Sequence, residues 1–244
     1  MNRQTDTLAG KVAVITGAGR GIGRAIALAY ARAGAAVVCS ARSRNEIDET
    51  VALVAASGGT ASACVADVGS HAAMRALFQH AVDVHGGVDI VVANAGVWGQ
   101  ARKVADSDPA TWAETIHVNL IGAFHTAHAA IPHLRARGAG KILFMGSGAR
   151  HGSVPGMSAY SASKLALWKL TQVLAMELHE HHISVNELIP GPVKTAMTDF
   201  GKHTFAPSEW VKEPDDVVPM AMFLATQPDI GPTAQSYSLM RRAG

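Results

Sequence analysis

Tyr160 and Lys164 lie four positions apart in Tyr160-Ser161-Ala162-Ser163-Lys164, a run with helical character, and that spacing puts both side chains on one helix face. A tyrosine phenol titrates near about pH 10, so at neutral pH it carries protons poorly unless a nearby cation favours the phenolate. Lys164 is such a cation. Ser147 closes the apolar run Lys141 to Met145, and the loop after it, broken by Gly148, Gly152, Pro155 and Gly156, can fold the serine hydroxyl back toward the phenol. A carbonyl oxygen held between two hydroxyls could then exchange a proton with Tyr160. The same residues also fit a solvated tyrosine–lysine pair, and only a redox cofactor site elsewhere in the chain would decide between the two.

The elements that must position these groups alternate. Lys11 to Thr16, Ala35 to Ser40, Ala61 to Val65, Val88 to Ala93, Lys141 to Met145 and Ile183 to Leu188 read as apolar strands, with Gln235 to Met240 as a last, less hydrophobic one. Helical patterns fall between them at Ile22 to Ala33, Arg44 to Ala56, His71 to His85, a long Asp108 to Ala136, and Ser158 to His179, with Asp215 to Ala225 near the end. Near-continuous apolar strands alternating with helices predict a doubly wound α/β fold, a parallel sheet of about seven strands covered on both faces. No linker or repeat divides the chain, so residues 1–244 read as one domain. The long irregular stretch 189–214 reads as a loop or lid near the substrate, with Thr198 to Lys212 as its mobile part.

After the first strand comes Thr16-Gly17-Ala18-Gly19-Arg20-Gly21-Ile22-Gly23. Strand, glycine turn and helix in that order suit a dinucleotide phosphate, which would approach the glycines closely and meet the unpaired amides of the helix. The spacing Gly-x-x-x-Gly-x-Gly differs from the common Gly-x-Gly-x-x-Gly, and a purely structural turn is the alternative. The second strand ends in Ser40-Ala41-Arg42-Ser43, without the carboxylate that would hold an unphosphorylated ribose. Arg42, helped by Arg20, instead suits a 2′-phosphate, unless it is only a solvated strand-end arginine. Asp67 after the third strand is placed for the adenine edge, and Asn94-Ala95-Gly96 after the fourth makes a tight turn beside the same crevice.

Composition narrows the function classes. The 21 basic and 19 acidic residues give a net charge of +2, which leaves no footprint for nucleic acid. A 48% hydrophobic, 16% charged chain is ordinary for a globular protein with a sizeable core. Cys39 and Cys64 both fall in strand-like runs and read as buried thiols in a reducing compartment. The twelve histidines are scattered, and no spacing suggests a metal. No run reaches about 20 apolar residues, and the N-terminus lacks the apolar stretch of a signal peptide, so a cytoplasmic protein away from membranes is expected.

With Thr16-Gly17-x-x-x-Gly21-x-Gly23, Asn94-Ala95-Gly96, Asn119, Ser147, Tyr160-x-x-x-Lys164 and Pro190-Gly191 in this order, the chain resembles the classical short-chain dehydrogenase/reductase family, including its 3-oxoacyl-ACP reductases. The resemblance spans nearly the whole length. It implies a Rossmann-type sheet, a nicotinamide cofactor and a homo-oligomer, tetramer or dimer. It implies Tyr160 as proton donor and acceptor, Ser147 as the hydroxyl steadying the substrate oxygen, and Lys164 as the group that lowers the tyrosine and holds the nicotinamide ribose. Asn119 would bend its helix and hold a water linking the lysine to solvent. Cofactor contacts are implied at Gly17, Gly19, Arg20, Gly21, Ile22, Gly23, Ala41, Arg42, Asp67, Val68, Asn94, Ala95, Gly96, Tyr160, Lys164, Pro190, Gly191 and Val193, with Thr195 on the carboxamide.

The chain departs from the family pattern in three places. Ala93 stands where a second asparagine is common. The segment from Pro190 to the last helix is short and lacks the usual arginine-containing motif. Ser238-Leu239-Met240-Arg241-Arg242 replaces Asp-Gly-Gly after the last strand, which weighs against the usual C-terminal subunit contact. The expected activity is NADPH-dependent reduction of a carbonyl, a 3-oxoacyl thioester or a bulkier ketone, or the reverse oxidation of an alcohol. Trp98, His151, Val154, Met157, Phe205 and Trp210 are the expected pocket wall. The alternatives are an NAD(H)-dependent alcohol dehydrogenase of the same family and a catalytically silent dinucleotide-binding regulator.

Overall fold

Runs such as Val-Ala-Val-Ile-Thr and Gly-Lys-Ile-Leu-Phe-Met are buried at every position, as strands covered on both faces must be. In the computed structural model, which describes residues 7–198 and 210–240, seven strands form one parallel sheet. They are β1 (Val12–Thr16), β2 (Ala36–Ala41), β3 (Thr60–Val65), β4 (Ile90–Ala93), β5 (Gly140–Met145), β6 (Ile183–Ile189) and β7 (Ser236–Ser238), ordered β3-β2-β1-β4-β5-β6-β7. The order reverses between β1 and β4, and that switch opens a crevice at the carboxyl ends of the strands.

Helices α1 (Gly21–Arg32), α2 (Arg44–Ala56), α3 (His71–His85), α4 (Pro109–Ile116), α5 (Gly122–Arg137), α6 (Ser158–Glu177) and α7 (Val218–Ala225) cover the sheet. Alternate strand residues feed two cores. Val14, Val38, Val91 and Phe144 meet Met74, Phe78, Leu134 and Leu167 of α3, α5 and α6. Ala13, Ile15, Val37 and Cys39 meet Ile26, Tyr30, Ile47 and Leu224 of α1, α2 and α7. Local signals set the helix starts: the side chains of Ser43, Ser70 and Asp108 accept hydrogen bonds from Glu46, Ala73 and Thr111 amides at 3.5, 3.2 and 2.8 Å. Among the described residues no helix is long and apolar enough to cross a membrane.

The long helix read over Asp108 to Ala136 is continuous from Pro109 to Arg137 but irregular where the resemblance put a helix-bending Asn119. A π-helical turn, His117–Ile121, separates α4 from α5. Each flanking segment keeps its own helical apolar spacing, so periodicity alone does not show the turn, in which Asn119 lies buried. Near the C-terminus the last helix is preceded by a 3₁₀ turn at Pro214–Val217, and β7 is shorter than the run Gln235 to Met240. Of the stretch expected to be a lid, residues 199–209, Phe205 included, lie outside the described residues. The two sides of that stretch meet: Lys194 donates to Lys212 O at 2.8 Å and Lys212 to Pro192 O at 3.0 Å through their backbones.

Candidate active site

The crevice has a volume of about 440 Å³ and runs from the end of β2 across β1 and β4 to α6. The glycine turn forms its floor. Gly17 has φ of 66°, and a Cβ at Gly23 would lie 2.2 Å from the Gly17 carbonyl oxygen. Gly23 therefore lets α1 pack against the turn and does not itself line the crevice, unlike Gly17, Gly19, Arg20, Gly21 and Ile22. α1 starts without a side-chain cap and with no acidic residue in its first turn, whereas α2, α3 and α4 are all capped. Its first amides remain available to an anion.

Asn94 fixes the opposite wall. Its Nδ2 donates to Thr16 O at 2.9 Å, and its amide donates to Thr16 Oγ1 at 3.1 Å, so the Asn94-Ala95-Gly96 turn is tied to the end of β1. Asp67, Val68, Pro190, Gly191, Val193 and Thr195 also line the crevice. A Cβ at Gly21 would meet Thr195 Cγ2 at 3.1 Å, which places the segment after β6 against the glycine turn.

At the far end Tyr160 is buried, with Ser147 near enough to act on its phenol. Burial raises the phenol above its ordinary value, and Ser147 opposes this without overcoming it. Lys164 is not among the groups that act on the phenol in this structure. Lys164 directs its Nζ to Met145 O at 2.8 Å, and its Nζ lies 5.8 Å from the Tyr160 ring centroid. Burial lowers the lysine itself to about 8, with Glu187 opposing the drop. Asn119, in the π turn, accepts from Val97 N at 2.8 Å and donates to Val97 O at 2.9 Å and Ser163 Oγ at 3.3 Å, so its amide braces the β4 loop against α6. Ser147 and Asn119 stand just behind the crevice wall; Tyr160 and Lys164 line it.

At the end of β2, Ala41 and Arg42 line the crevice as anticipated, but the charge balance there differs from the sequence reading. A carboxylate is present: Glu46, in the first turn of α2, lines the crevice and pairs with Arg20 at 3.0 Å. Arg20 is thus already neutralised. The spacing Ser43-x-x-Glu46 is a capping pattern that could have placed this carboxylate beside Arg42. Of the expected pocket wall, Trp98 packs on Tyr160 with ring centroids 4.8 Å apart, His151 and Val154 are exposed, and Trp210 is half-exposed. None of them lines the crevice itself.

Comparison with known proteins agrees with this geometry. The family model described as short chain dehydrogenase matches residues 11–204. The chain is 34% identical over 229 residues to dehydrogenase/reductase SDR family member 4 of Sus scrofa, covering 90% of this chain and 82% of that protein. It is 34% identical over 230 residues to the 7alpha-hydroxysteroid dehydrogenase of Escherichia coli (strain K12), covering 90% and 88%. A crystal structure of a 3-ketoacyl-ACP reductase from Sinorhizobium meliloti 1021 superposes with a TM-score of 0.86 at 37% identity, covering 93% of this chain and 96% of that one.

Proposed function

Because the chain belongs to the short-chain dehydrogenase/reductase family of nicotinamide-dependent oxidoreductases, we propose that it moves a hydride between NADP(H) and a carbonyl or secondary-alcohol substrate. The observation that carries this reading is the placement of buried Tyr160 and Lys164 at one end of a crevice whose other end is an uncapped helix N-terminus. The crevice fits the cofactor: the Gly17 to Ile22 turn would take the pyrophosphate, Asp67 and Val68 the adenine, Asn94 to Gly96 and Lys164 the nicotinamide ribose, and Pro190, Gly191, Val193 and Thr195 the nicotinamide.

A bound nicotinamide supplies or accepts the hydride. Tyr160 gives its proton to the substrate oxygen during reduction and takes it back during oxidation, and the Ser147 hydroxyl orients that oxygen. Lys164 adds positive charge where a phenolate forms, and Asn119 holds the loop that frames both. NADP(H) is the preferred form because Arg42 is exposed on the crevice wall with no carboxylate on β2 beside it. NAD(H) is the second reading, and Glu46 favours it. A 3-oxoacyl thioester or a bulkier ketone suits the apolar Trp98 face beside Tyr160, in keeping with the activities named for the relatives.

The protein works as a homo-oligomer, a reading supported by the exposed Phe124 of α5 and Val173 and Met176 of α6. Turnover of 3-oxoacyl thioesters, steroids, quinones and small ketones with each reduced cofactor tests the proposal. Cofactor binding without turnover of any of them would leave the silent regulator.

A further inference from the structure

Glu187 is the one acidic residue of β6, whose seven residues are all buried, and its side chain is 0% exposed. A carboxylate in such a position costs several kcal/mol of lost hydration unless partners compensate. The partners come from two other elements. Arg150, in the 3₁₀ turn that follows Ser147, lies 3.0 Å from Glu187 Oε2 and stacks its guanidinium 4.5 Å from the Trp168 ring centroid on α6. Ser236 of β7 donates to the same Oε2 at 2.6 Å and accepts from Arg150 Nη2 at 2.9 Å.

The second oxygen has a different setting. Oε1 has no hydrogen-bond partner among the described residues, and a Cβ added at Gly146 would lie 2.3 Å from it. The carboxylate therefore fills the volume that a side chain at position 146 would take, between Met145, whose carbonyl receives Lys164 Nζ, and Ser147. The charged groups that act on Glu187 are Arg150 from the Ser147 loop and Lys164 from α6.

From this arrangement we infer that Glu187 is a positioning residue: its buried carboxylate sets a negative charge behind the Met145–Ser147 turn that Lys164 Nζ reaches and, through Arg150, anchors the loop that carries Ser147. The inference rests on the reading of Lys164 as the partner of a catalytic Tyr160. Burial works against the lysine's charge and has brought it to about 8, within reach of working pH, and Glu187 is the group that opposes that drop. Glu187 is itself pushed upward by burial, while Ser236, Arg150 and Lys164 hold it toward the ionised form. One carboxylate thus links two parts of the site that approach the substrate from different elements.

Two variants test this. Glu187→Gln keeps the shape and removes the charge. If it misfolds, the double change Glu187→Leu with Arg150→Met removes both ions together, which buried pairs tolerate far better than loss of one partner. The first readout needs no turnover: lysine Cε chemical shifts of the protein labelled with ¹³C, titrated with pH, with the Lys164 signal assigned from Lys164→Arg. Removing an opposite charge nearby is expected to move the Lys164 midpoint down by about one pH unit or more, and the pH profile of kcat should move with it. A Lys164 midpoint unchanged in the variant that folds, or a kcat that falls with an unmoved profile, would overturn the role and leave Glu187 a packing residue. Absence of turnover in the wild type would count against the oxidoreductase reading, and the lysine titration would still judge Glu187.

Discussion

The two ends of the crevice both depend on charge, under opposite conditions. At the catalytic end Tyr160, Lys164 and Glu187 are buried, and each has a proton affinity displaced by burial. At the ribose end Arg20 and Arg42 are exposed, and Glu46 compensates Arg20 across 3.0 Å. Buried charges act through a low dielectric that salt hardly reaches, whereas exposed ones are hydrated and screened within about 10 Å at 0.1 M salt. Substitutions at the first end should therefore change rate and stability strongly, and substitutions at the second should adjust preference.

The largest expected effect is that of Tyr160→Phe. The ring still packs against Trp98 but has no proton to give, so kcat should fall by roughly 10²- to 10⁴-fold with cofactor binding nearly intact. Retention of more than about a tenth of kcat would contradict general acid catalysis by this residue. Lys164→Ala should differ in kind, weakening cofactor binding as well as turnover.

Next in size is a stability effect. Lys164 in the folded protein titrates at about 8, below the ordinary lysine value of 10.5. Between those values the unfolded chain binds more protons than the folded one, so wild-type stability rises with pH across that window. Lys164→Met removes the buried charge and should be more stable than wild type at pH 7, by up to about 3 kcal/mol, with the advantage shrinking as pH approaches about 10. Urea unfolding midpoints at pH 7 and 9.5 measure this. An offset independent of pH would mean that Lys164 is not a buried ammonium.

At the exposed end, NADPH should bind more tightly than NADH by about 10-fold, the lower part of the range for a hydrogen bond to a charged group, because Glu46 already occupies Arg20. Ala41→Asp with Arg42→Ile should reverse the order by adding repulsion as it removes attraction. The smallest effect is that of Glu46→Gln, which frees Arg20 and should widen the NADPH preference a few-fold at low salt, with the gain fading as salt is added. Fluorescence titrations with both reduced cofactors give these values. Equal affinities in the unmodified protein would reduce Arg42 to a solvated strand-end residue.

Sequence and structure agree most closely where local signals are strong. The limits read for α2 and α3 agree with the structure, in which Ser43 and Ser70 cap their starts, and unbroken apolar runs marked β1, β5 and β6 as strands buried on both faces. The π turn at His117–Ile121 was not legible from periodicity, since each flanking helix keeps its own apolar spacing; only the resemblance, through a helix-bending Asn119, pointed there. The Arg150–Glu187 pair depends on the sheet bringing distant segments together, and no local spacing encodes such a meeting. The opposing burial effects on Tyr160 and Lys164 are likewise consequences of packing, invisible in a helical Tyr-x-x-x-Lys.

The most direct test of the central claim follows the transferred atom. The protein is incubated with NADPH carrying deuterium at the reactive C4 position and with the ketones of the panel, and the alcohols are analysed by mass spectrometry. The account predicts deuterium on the carbinol carbon of at least one alcohol in the wild type, and its near disappearance in Tyr160→Phe at unchanged cofactor affinity. Cofactor bound in the crevice with no deuterium in any alcohol, or equal labelling by the wild type and Tyr160→Phe, would contradict it.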